Sequence, residues 1–351
     1  MTSSKLSGSL FKLFGFLILI GSLVSGWLIM DYKAFSNNPL PIPPVGHHHI
    51  IPPGTSMKRL AEDLEQAGVV NHPIYLRWMA RWQGKAGLIK AGEYVLPAGI
   101  APSQLLDIVV SGAVVQHTLT IVEGWTFAQL LDAVRQHEAI QQTLDGASNE
   151  EIMTRLGHAG QHPEGMFMPD TYHFPRGISD VAFLQRAYQT LLDRLNEEWP
   201  KRDVTSPLKS AYQALILASI IEKETGVPEE RTQIAGVFVR RLLAGMRLQT
   251  DPTVIYGLGT GFDGNLRRTD LMNDSPYNTY LYTGLPPTPI ALPGLASIRA
   301  ALHPAAGDTL FFVAKGDGSH SFSATLDQHN AAVKRYQLTP RANTSDKEKG
   351  N

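Results

Sequence analysis

The sequence predicts an α+β chain in three parts: one N-terminal membrane-spanning helix, a small unit of short strands and helices, and a larger mixed α/β region. Three observations predict it. An uncharged apolar stretch runs from Leu13 to Met30, a proline-rich break follows at 36–46, and helical and alternating periodicities then succeed one another to about residue 340. The 351 residues suffice for two to three domains at about 150 residues each. With 43% hydrophobic and 18% charged residues there is apolar mass for ordinary packed cores. The 31 Lys plus Arg against 32 Asp plus Glu leave a net charge of -1, which excludes the basic footprint of a nucleic-acid binder. The absence of cysteine removes thiol nucleophiles, disulfides, iron–sulfur clusters and cysteine-held zinc.

Residues 1–12 read as a cytoplasmic tail and 13–30 as the membrane span. As a helix the span is about 27 Å long, close to a bilayer core of ~30 Å. Lys5 and Lys12 precede it while Asp31 and Lys33 cancel after it, so the charge bias keeps the short N-terminus inside. A cleaved signal peptide is the competing reading, but no A-x-A site follows the small residues Gly21, Ser22, Ser25 and Gly26. Residues 31–46, with four prolines in 36–46, predict an extended linker that lifts the next unit off the membrane. His47, His48 and His49 read as a strand entering Ile50 and Ile51 rather than as a metal tract, since three adjacent side chains cannot face one ion.

The small unit is expected over 47–115. Helical spacing of Leu60, Ala61, Leu64 and Ala67 predicts a helix over 57–67, capped by Thr55 or Ser56 and ended by Gly68. A second helix fits 75–82, a strand 91–96 with Tyr94 and Leu96 on one face, another helix opens at Ser103, and a strand follows at 114–121. The larger region is expected over 116–340, beginning with a helix through Phe127, Leu130, Leu131 and Val134. Residues 163–174 (PEGMFMPDTYHF) lack clean periodicity and read as a structured loop over a cleft. Residues 341–351 are polar and read as a flexible tail.

The most informative stretch is 208–245. Its first helix, to about Thr225, is apolar on every side between Ala214 and Ile221 apart from Ser219, which places it in the domain centre. Gly226 is positioned to end it in the left-handed conformation, and Pro228 to open a second helix striped by Ile234, Val237, Phe238 and Leu242. Glu222 and Glu224 stand out because they occupy the last turn, where the helix dipole disfavours a carboxylate by about 0.3–1 kcal/mol. Burial above an apolar stripe acts in the same direction, as a general acid requires. The two glutamates are roughly 200° apart around the helix, so one at most faces a given cleft, and periodicity leaves open which. A helix end that simply reaches solvent, with glutamates paired to Lys223 or Arg231, is the plain alternative.

Four motifs, ASIIEKET, GVFVRRLLAGMRLQTDPTVIYGLG, SPYNTYLYTGLPPTPI and HPAAGDTLFFVAKGDGSHSFSATLDQHN, resemble the MltG/YceG-like family of membrane-anchored endolytic murein transglycosylases. Earlier motifs agree: IPPG at 51–54, KAGEYVL at 90–96, VEGWT at 122–126 and PEGMFMPDTY at 163–172. The resemblance implies a LysM-like module over 47–115 and a catalytic domain over 116–340. It implies Glu222 as the acid, and Gln249, Thr250, Asp251, Tyr277, Asn278 and Thr279 as residues lining a glycan cleft. It further implies no cofactor, peptidoglycan glycan strands and the membrane as partners, cell-wall synthases as candidate protein partners, and an inner-membrane protein with its bulk in the periplasm. Relatives often read G-L-P-P-G-P-I-x-N-P-G where this chain has Thr288 and Leu292, which puts any polar contact of that Asn in doubt.

The chemistry implied uses one carboxyl group twice, where other glycosidases need two. Glu222 protonates the oxygen between MurNAc and GlcNAc, and as carboxylate then takes the proton of the C6 hydroxyl of the same MurNAc, which closes a 1,6-anhydro ring. Asp251, Glu164, Asp170 and Glu123 are the candidates for a second carboxylate. Asp251 before Pro252, and Glu123 before Gly124, read more simply as helix caps. Tyr277 and Tyr280 could stack on sugars. His320 and His329 lie too far from any acidic motif of metal spacing, so no metal is expected. A muramidase that uses water, and a non-catalytic murein-binding scaffold, are the alternatives.

Overall fold

The computed structural model of the chain describes residues 3–338, with side chains from residue 12 onward. The expected tail at 341–351 and the first two residues lie outside the described residues. Two compact units emerge, one reaching to His117 and taking in Phe174–Gly177, the other made of Thr118–His173 and the residues from Ile178 onward.

The first unit opens with α1 (Ser3–Asn37), whose stretch Lys12–Asn37 is long and apolar enough to cross a membrane and has none of its apolar window buried. The helix overruns its expected end at Met30, and the proline-rich segment after it is not the extended spacer the sequence suggests. Leu40 and Ile42, two residues apart on an extended chain, both bury in the core, and the Leu40 amide donates to Ile100 O at 2.8 Å. Alternating apolar residues between prolines give this stretch a face to bury, so it packs instead of spacing. Next, β1 (His47–Ile51) is followed by α2 (Met57–Gln66), α3 (Pro73–Trp82), β2 (Gly92–Leu96) and α4 (Pro102–Ser111). Strands β1 and β2 pair antiparallel, His47 opposite Leu96 and Ile51 opposite Gly92. Ser56 caps α2 by accepting the Arg59 amide at 3.2 Å. Leu60, Leu64, Leu76, Tyr94, Leu96 and Leu105 form the centre of this core, each contributing roughly 1.5–3 kcal/mol of burial. Glu93 accepts Arg176 Nε at 2.8 Å and meets His117 Nε2 at 2.9 Å, and these bonds, Arg176 first, hold its carboxyl down at about 2.

In chain order the remaining elements are β3 (Gln116–Thr120), α5 (Phe127–Gln136), β4 (Ile140–Gln141), α6 (Asn149–Arg155), β5 (Thr171–Pro175), β6 (Ile178–Ser179), α7 (Asp180–Glu198), α8 (Ala211–Glu224), α9 (Arg231–Leu243), α10 (Asp251–Leu258), α11 (Leu295–Leu302), β7 (Phe311–Ala314), β8 (His320–Ser323) and α12 (Leu326–Val333). The strands make only two-stranded ladders among the described residues: β3 with β5, β4 with β6 in parallel, and β7 with β8 antiparallel. The second unit is therefore built around helices. As the apolar run predicts, α8 is its axis, with every residue from Ala214 to Ile221 buried. Helix α11 packs along it through Ile298, Ala301 and Leu302, and α9 through Ile234, Val237 and Phe238. The one polar residue in the run, Ser219, donates to Ile216 O at 2.7 Å and accepts the Ile290 amide at 3.0 Å, so its burial leaves no unmet hydrogen bond.

Residues 163–170 are irregular backbone, as expected, but they are largely buried, and 171–174 belong to β5. Met166, Phe167 and Met168 are buried, with Phe167 stacked on Phe127 at 5.1 Å, and β5 turns Tyr172 and Phe174 inward while Thr171 and His173 face out. The period-2 signal was present, but it spans too few residues between Pro163 and Pro175 to stand out.

Candidate active site

Helix α8 stops at Glu224 through Thr225, which is extended at φ -142°, and the expected left-handed Gly226 is not used. The Thr225 hydroxyl accepts the Val227 amide at 3.0 Å, supplying the stop that glycine would have given. A single 3-10 turn at Pro228–Glu230 then leads into α9. Glu222 and Glu224 thus leave the end of a helix with a buried centre on opposite faces, and each face holds its own cluster.

On the first face, Glu222 Oε2 accepts the Gly294 amide at 2.9 Å and Oε1 lies 4.0 Å from Arg231 Nη2, with 7% of the side chain exposed. The Arg231 Nε has no hydrogen-bond partner among the described residues. Gly294 precedes α11 at φ -72° and ψ 164°, a conformation open to any residue. A Cβ there would overlap the Glu123 carboxyl, so any side chain at 294 displaces that carboxyl from its present place. Two carboxyl groups thus converge on one glycine and one guanidinium. Burial pushes the Glu123 carboxyl up, the charge of Glu222 adds to this, and Arg231 opposes it. Glu123 is not the helix cap the sequence suggests; Thr126 and Gln129 cap α5 reciprocally. Main-chain bonds hold the Glu123 turn in place, Gly124 N to Leu292 O at 2.8 Å and Leu292 N to Trp125 O at 2.7 Å, while Lys223 Nζ donates to Gly124 O at 3.2 Å. Close by, Glu164 accepts the Phe127 amide at 2.9 Å and the Tyr256 hydroxyl at 3.1 Å, and burial pushes its carboxyl up to about 7.

On the second face, Glu224 Oε2 accepts the Thr250 hydroxyl at 2.7 Å. Burial pushes Glu224 up, Thr250 opposes this, and the charge of Asp251 adds to it. Glu224, Arg241, Gln249, Asp251, Tyr280 and His320 line a cavity of about 580 Å³. Gln249 has φ 52°, the only positive φ at a non-glycine residue among the described residues, and its amide donates to Thr279 O at 3.1 Å. Asp251 is the first residue of α10 rather than its cap, and its Oδ1 accepts the Tyr280 hydroxyl at 2.6 Å.

The residues expected to line a glycan cleft therefore divide. Gln249 and Asp251 face the cavity. Thr250, Asn278 and Thr279 are buried and bonded within the protein: the Thr250 amide to Thr279 Oγ1 at 3.1 Å, Thr253 and Thr279 hydroxyls to each other at 2.8 Å, and Asn278 Nδ2 to Leu271 O and Asn273 O at 3.1 and 2.8 Å. Tyr277 packs edge-on against Tyr256 at 4.9 Å and donates its hydroxyl to Thr288 Oγ1 at 2.9 Å, which in turn donates to Pro289 O. Thr288, one of the two departures from the related pattern, thus supports Tyr277, and the other, Leu292, is fully buried.

Arg241 is a site neighbour that sequence reasoning passed over, and His320 was weighed there only as a metal ligand. Arg241 follows Val237 and Phe238 at helical spacing, so a cation on the apolar stripe of α9 was the available signal; its guanidinium bonds Leu310 O and Leu248 O at 2.7 and 2.6 Å. His320 Nδ1 lies 2.7 Å from Glu230 Oε2. No group of three His, Asp or Glu residues capable of holding a metal ion occurs among the described residues.

Comparison with known proteins adds the following. The chain is 33% identical to an endolytic murein transglycosylase of Bacillus subtilis (strain 168), over 82% of this chain and 83% of the relative. It is 26% identical to an endolytic murein transglycosylase of Streptococcus pneumoniae serotype 2, over 92% of this chain but 64% of that longer relative. A crystal structure of a YceG-like protein from Listeria monocytogenes matches with a TM-score of 0.49 and 30% identity, covering 82% of this chain and 98% of that one. The sequence pattern of the YceG-like family matches residues 50–335, and the chain belongs to that family.

Proposed function

We propose that the protein is a membrane-anchored endolytic lytic transglycosylase that cleaves the β-1,4 bond between MurNAc and GlcNAc within peptidoglycan strands, leaving 1,6-anhydroMurNAc ends. One observation carries the reading: Glu222 closes helix α8 with one direct hydrogen bond, from Gly294, and lies 4.0 Å from the Arg231 guanidinium, with the Glu123 carboxyl beside the same glycine. The Gly294 amide orients the Glu222 carboxyl, and in its acid form that group carries a proton for the glycosidic oxygen. Glu222 delivers it as the bond to the leaving GlcNAc breaks. The resulting carboxylate then accepts the C6 hydroxyl proton of the same MurNAc while that oxygen bonds to C1, so no water and no cofactor enter the balance. The nucleophile is already tethered to the reacting ring, which supplies much of the rate. Gln249 and Asp251 hold sugars of the strand beyond the cleaved bond, and Thr250, Asn278 and Thr279 position them.

Residues 13–30 anchor the chain with the N-terminus cytoplasmic and the bulk beyond the membrane. The two-stranded sheet enclosing α2 and α3 supports a LysM-like module over 47–115, and cell-wall synthases are the proposed protein partners. A second reading makes Glu224 the acid, favoured by its place on the 580 Å³ cavity and its burial.

The test is the mass of products released from murein by the full chain and by Glu222→Gln and Glu224→Gln. Anhydro products from wild type and from Glu224→Gln, with none from Glu222→Gln, are expected. Products heavier by one water would make the enzyme a muramidase, unchanged cleavage by Glu222→Gln would remove the proposed acid, and loss confined to Glu224→Gln would transfer the role to Glu224.

A further inference from the structure

Helix α3 carries a surface that neither its core nor the reaction explains. Its inward face, Tyr75, Leu76, Met79 and Ala80, is buried, while Ile74, Trp78 and Trp82, spaced by four residues, form an outward stripe with exposures of 48%, 42% and 72%. Two tryptophans and an isoleucine on one short helix are too much apolar surface for an ordinary water-facing face. Beside the stripe Arg77 and Arg81 are exposed, and α3 contains no Asp or Glu, so the face is both aromatic and cationic.

The position of α3 says what such a face meets. Its first and last turns converge on the same level of α1: the Tyr75 hydroxyl donates to Asp31 Oδ2 at 2.7 Å, the Tyr75 ring meets Tyr32 at 5.7 Å, and Trp82 meets Tyr32 edge-on at 5.4 Å. Phe35 packs on Tyr75 at 5.7 Å. Tyr32 and Phe35 thus seat α3 against this level of α1. Asp31 is the first charge after the uncharged run Leu13–Met30, which fixes that level at the end of the apolar span. The burial of Leu40 and Ile42 ties the chain straight back into this unit, so no spacer separates it from the end of α1.

We propose that α3 lies in the headgroup layer of the membrane that α1 crosses, with Ile74, Trp78 and Trp82 seated at the boundary with the acyl chains and Arg77 and Arg81 among anionic lipid phosphates. Amphipathic rings favour that layer, where one part of the ring is apolar and the indole N–H remains wet. The cations add attraction to acidic lipid. The surface makes this unit a second membrane contact and fixes the angle at which it leaves the bilayer. The proposal rests on the reading of α1 as a membrane anchor.

The absence of native cysteine allows a direct test with the full chain. Ile74→Cys and Leu23→Cys, each exposed, are labelled singly with an environment-sensitive fluorophore and reconstituted into vesicles of phosphatidylcholine and phosphatidylglycerol. Nitroxide lipids carry the quencher either at the headgroup or near the chain ends. The label at 74 is expected to be quenched about twofold or more by the headgroup nitroxide and less by the deep one, as for a residue in the interfacial layer. The label at 23 is expected to show the reverse preference. Replacing Trp78 and Trp82 by Ser in the Ile74→Cys chain is expected to cut the shallow quenching. Quenching at 23 without quenching at 74 overturns the proposal and leaves the anchor standing. Absence of quenching at both positions overturns the anchor and the proposal with it.

Discussion

Gly294→Ala isolates the packing that holds the two carboxyl groups of the candidate site. Backbone conformation gives alanine no difficulty at φ -72° and ψ 164°, so the whole effect comes from the new methyl overlapping Glu123 Oε1. Either the Glu123 carboxyl moves away from Arg231 or α11 shifts at its start. Because Glu123 is exposed and the atoms met are the free end of its flexible side chain, the cost is expected to be at most about 1 kcal/mol. In a unit this large, 1 kcal/mol corresponds to a fall in melting temperature of about 2–4 °C. Glu123→Ala removes the obstructing carboxyl, and in that background the same Gly294→Ala change is expected to cost close to nothing, a coupling of about 0.5–1 kcal/mol between the sites. Chemical denaturation of wild type, both single variants and the double variant measures this cycle. Because the Gly294 amide also holds Glu222, a shift of about 1 Å is expected to lower the rate of murein cleavage roughly 10²-fold in the single variant. If Gly294→Ala costs the same stability with Glu123 present and absent, the two groups are not packed as described and the argument for their convergence fails.

Three further outcomes are expected. Glu164, pushed from an ordinary 4.5 to about 7 in the folded chain, binds its proton more tightly folded than unfolded. Its contribution is therefore fully present below about pH 4.5 and is lost as pH rises towards 7, by up to about 3 kcal/mol. Glu164→Gln should flatten that part of a stability profile measured by denaturation, and an unchanged slope would contradict the burial of this group. Thr250→Val takes the hydroxyl from the buried Glu224 and is expected to destabilise by about 1–3 kcal/mol, more at pH 8 than at pH 5, since the lost bond favoured the charged form. Gln249→Gly relieves a left-handed side chain worth about 1–2 kcal/mol against a glycine entropy cost of about 0.5–1 kcal/mol. Its stability should stay close to wild type while its affinity for glycan fragments falls; a large loss of stability would mean that Gln249 is a structural residue.

Periodicity carried a long way in this sequence where a single helix decides its own burial. The apolar run Ala214–Ile221 announced the central helix, and the spacing of Leu60, Leu64, Leu76, Tyr94 and Leu96 announced the small core. The opposite facing of Glu222 and Glu224 follows from two residues of helical rotation. Much of what escaped was set by neighbours distant in sequence. Nothing near Thr250 says that Glu224 takes up its hydroxyl, and Asn278 turns back onto the carbonyls of Leu271 and Asn273 through local bonds that no periodicity announces, so both read as cleft residues. Glu123 read as a cap because its partners, Gly294 and Arg231, lie more than a hundred residues away. The proline-rich segment after α1 read as a spacer because prolines signal extension, while Leu40 and Ile42 supply the burial that decides its fate. Thr225 replaced glycine as the helix stop through a side-chain bond that composition does not announce.

The reciprocal pair of backbone hydrogen bonds between Leu292 and the Gly124–Trp125 turn behaves like a clasp fastened by main chain alone. Its two halves are indifferent to the identity of the side chain at 292, which is how an apolar leucine can occupy this place without unfastening it. Drift at that position is thus confined to whatever fits the enclosed volume. Proline is the substitution this clasp cannot tolerate, since it alone deletes the N–H that Trp125 receives.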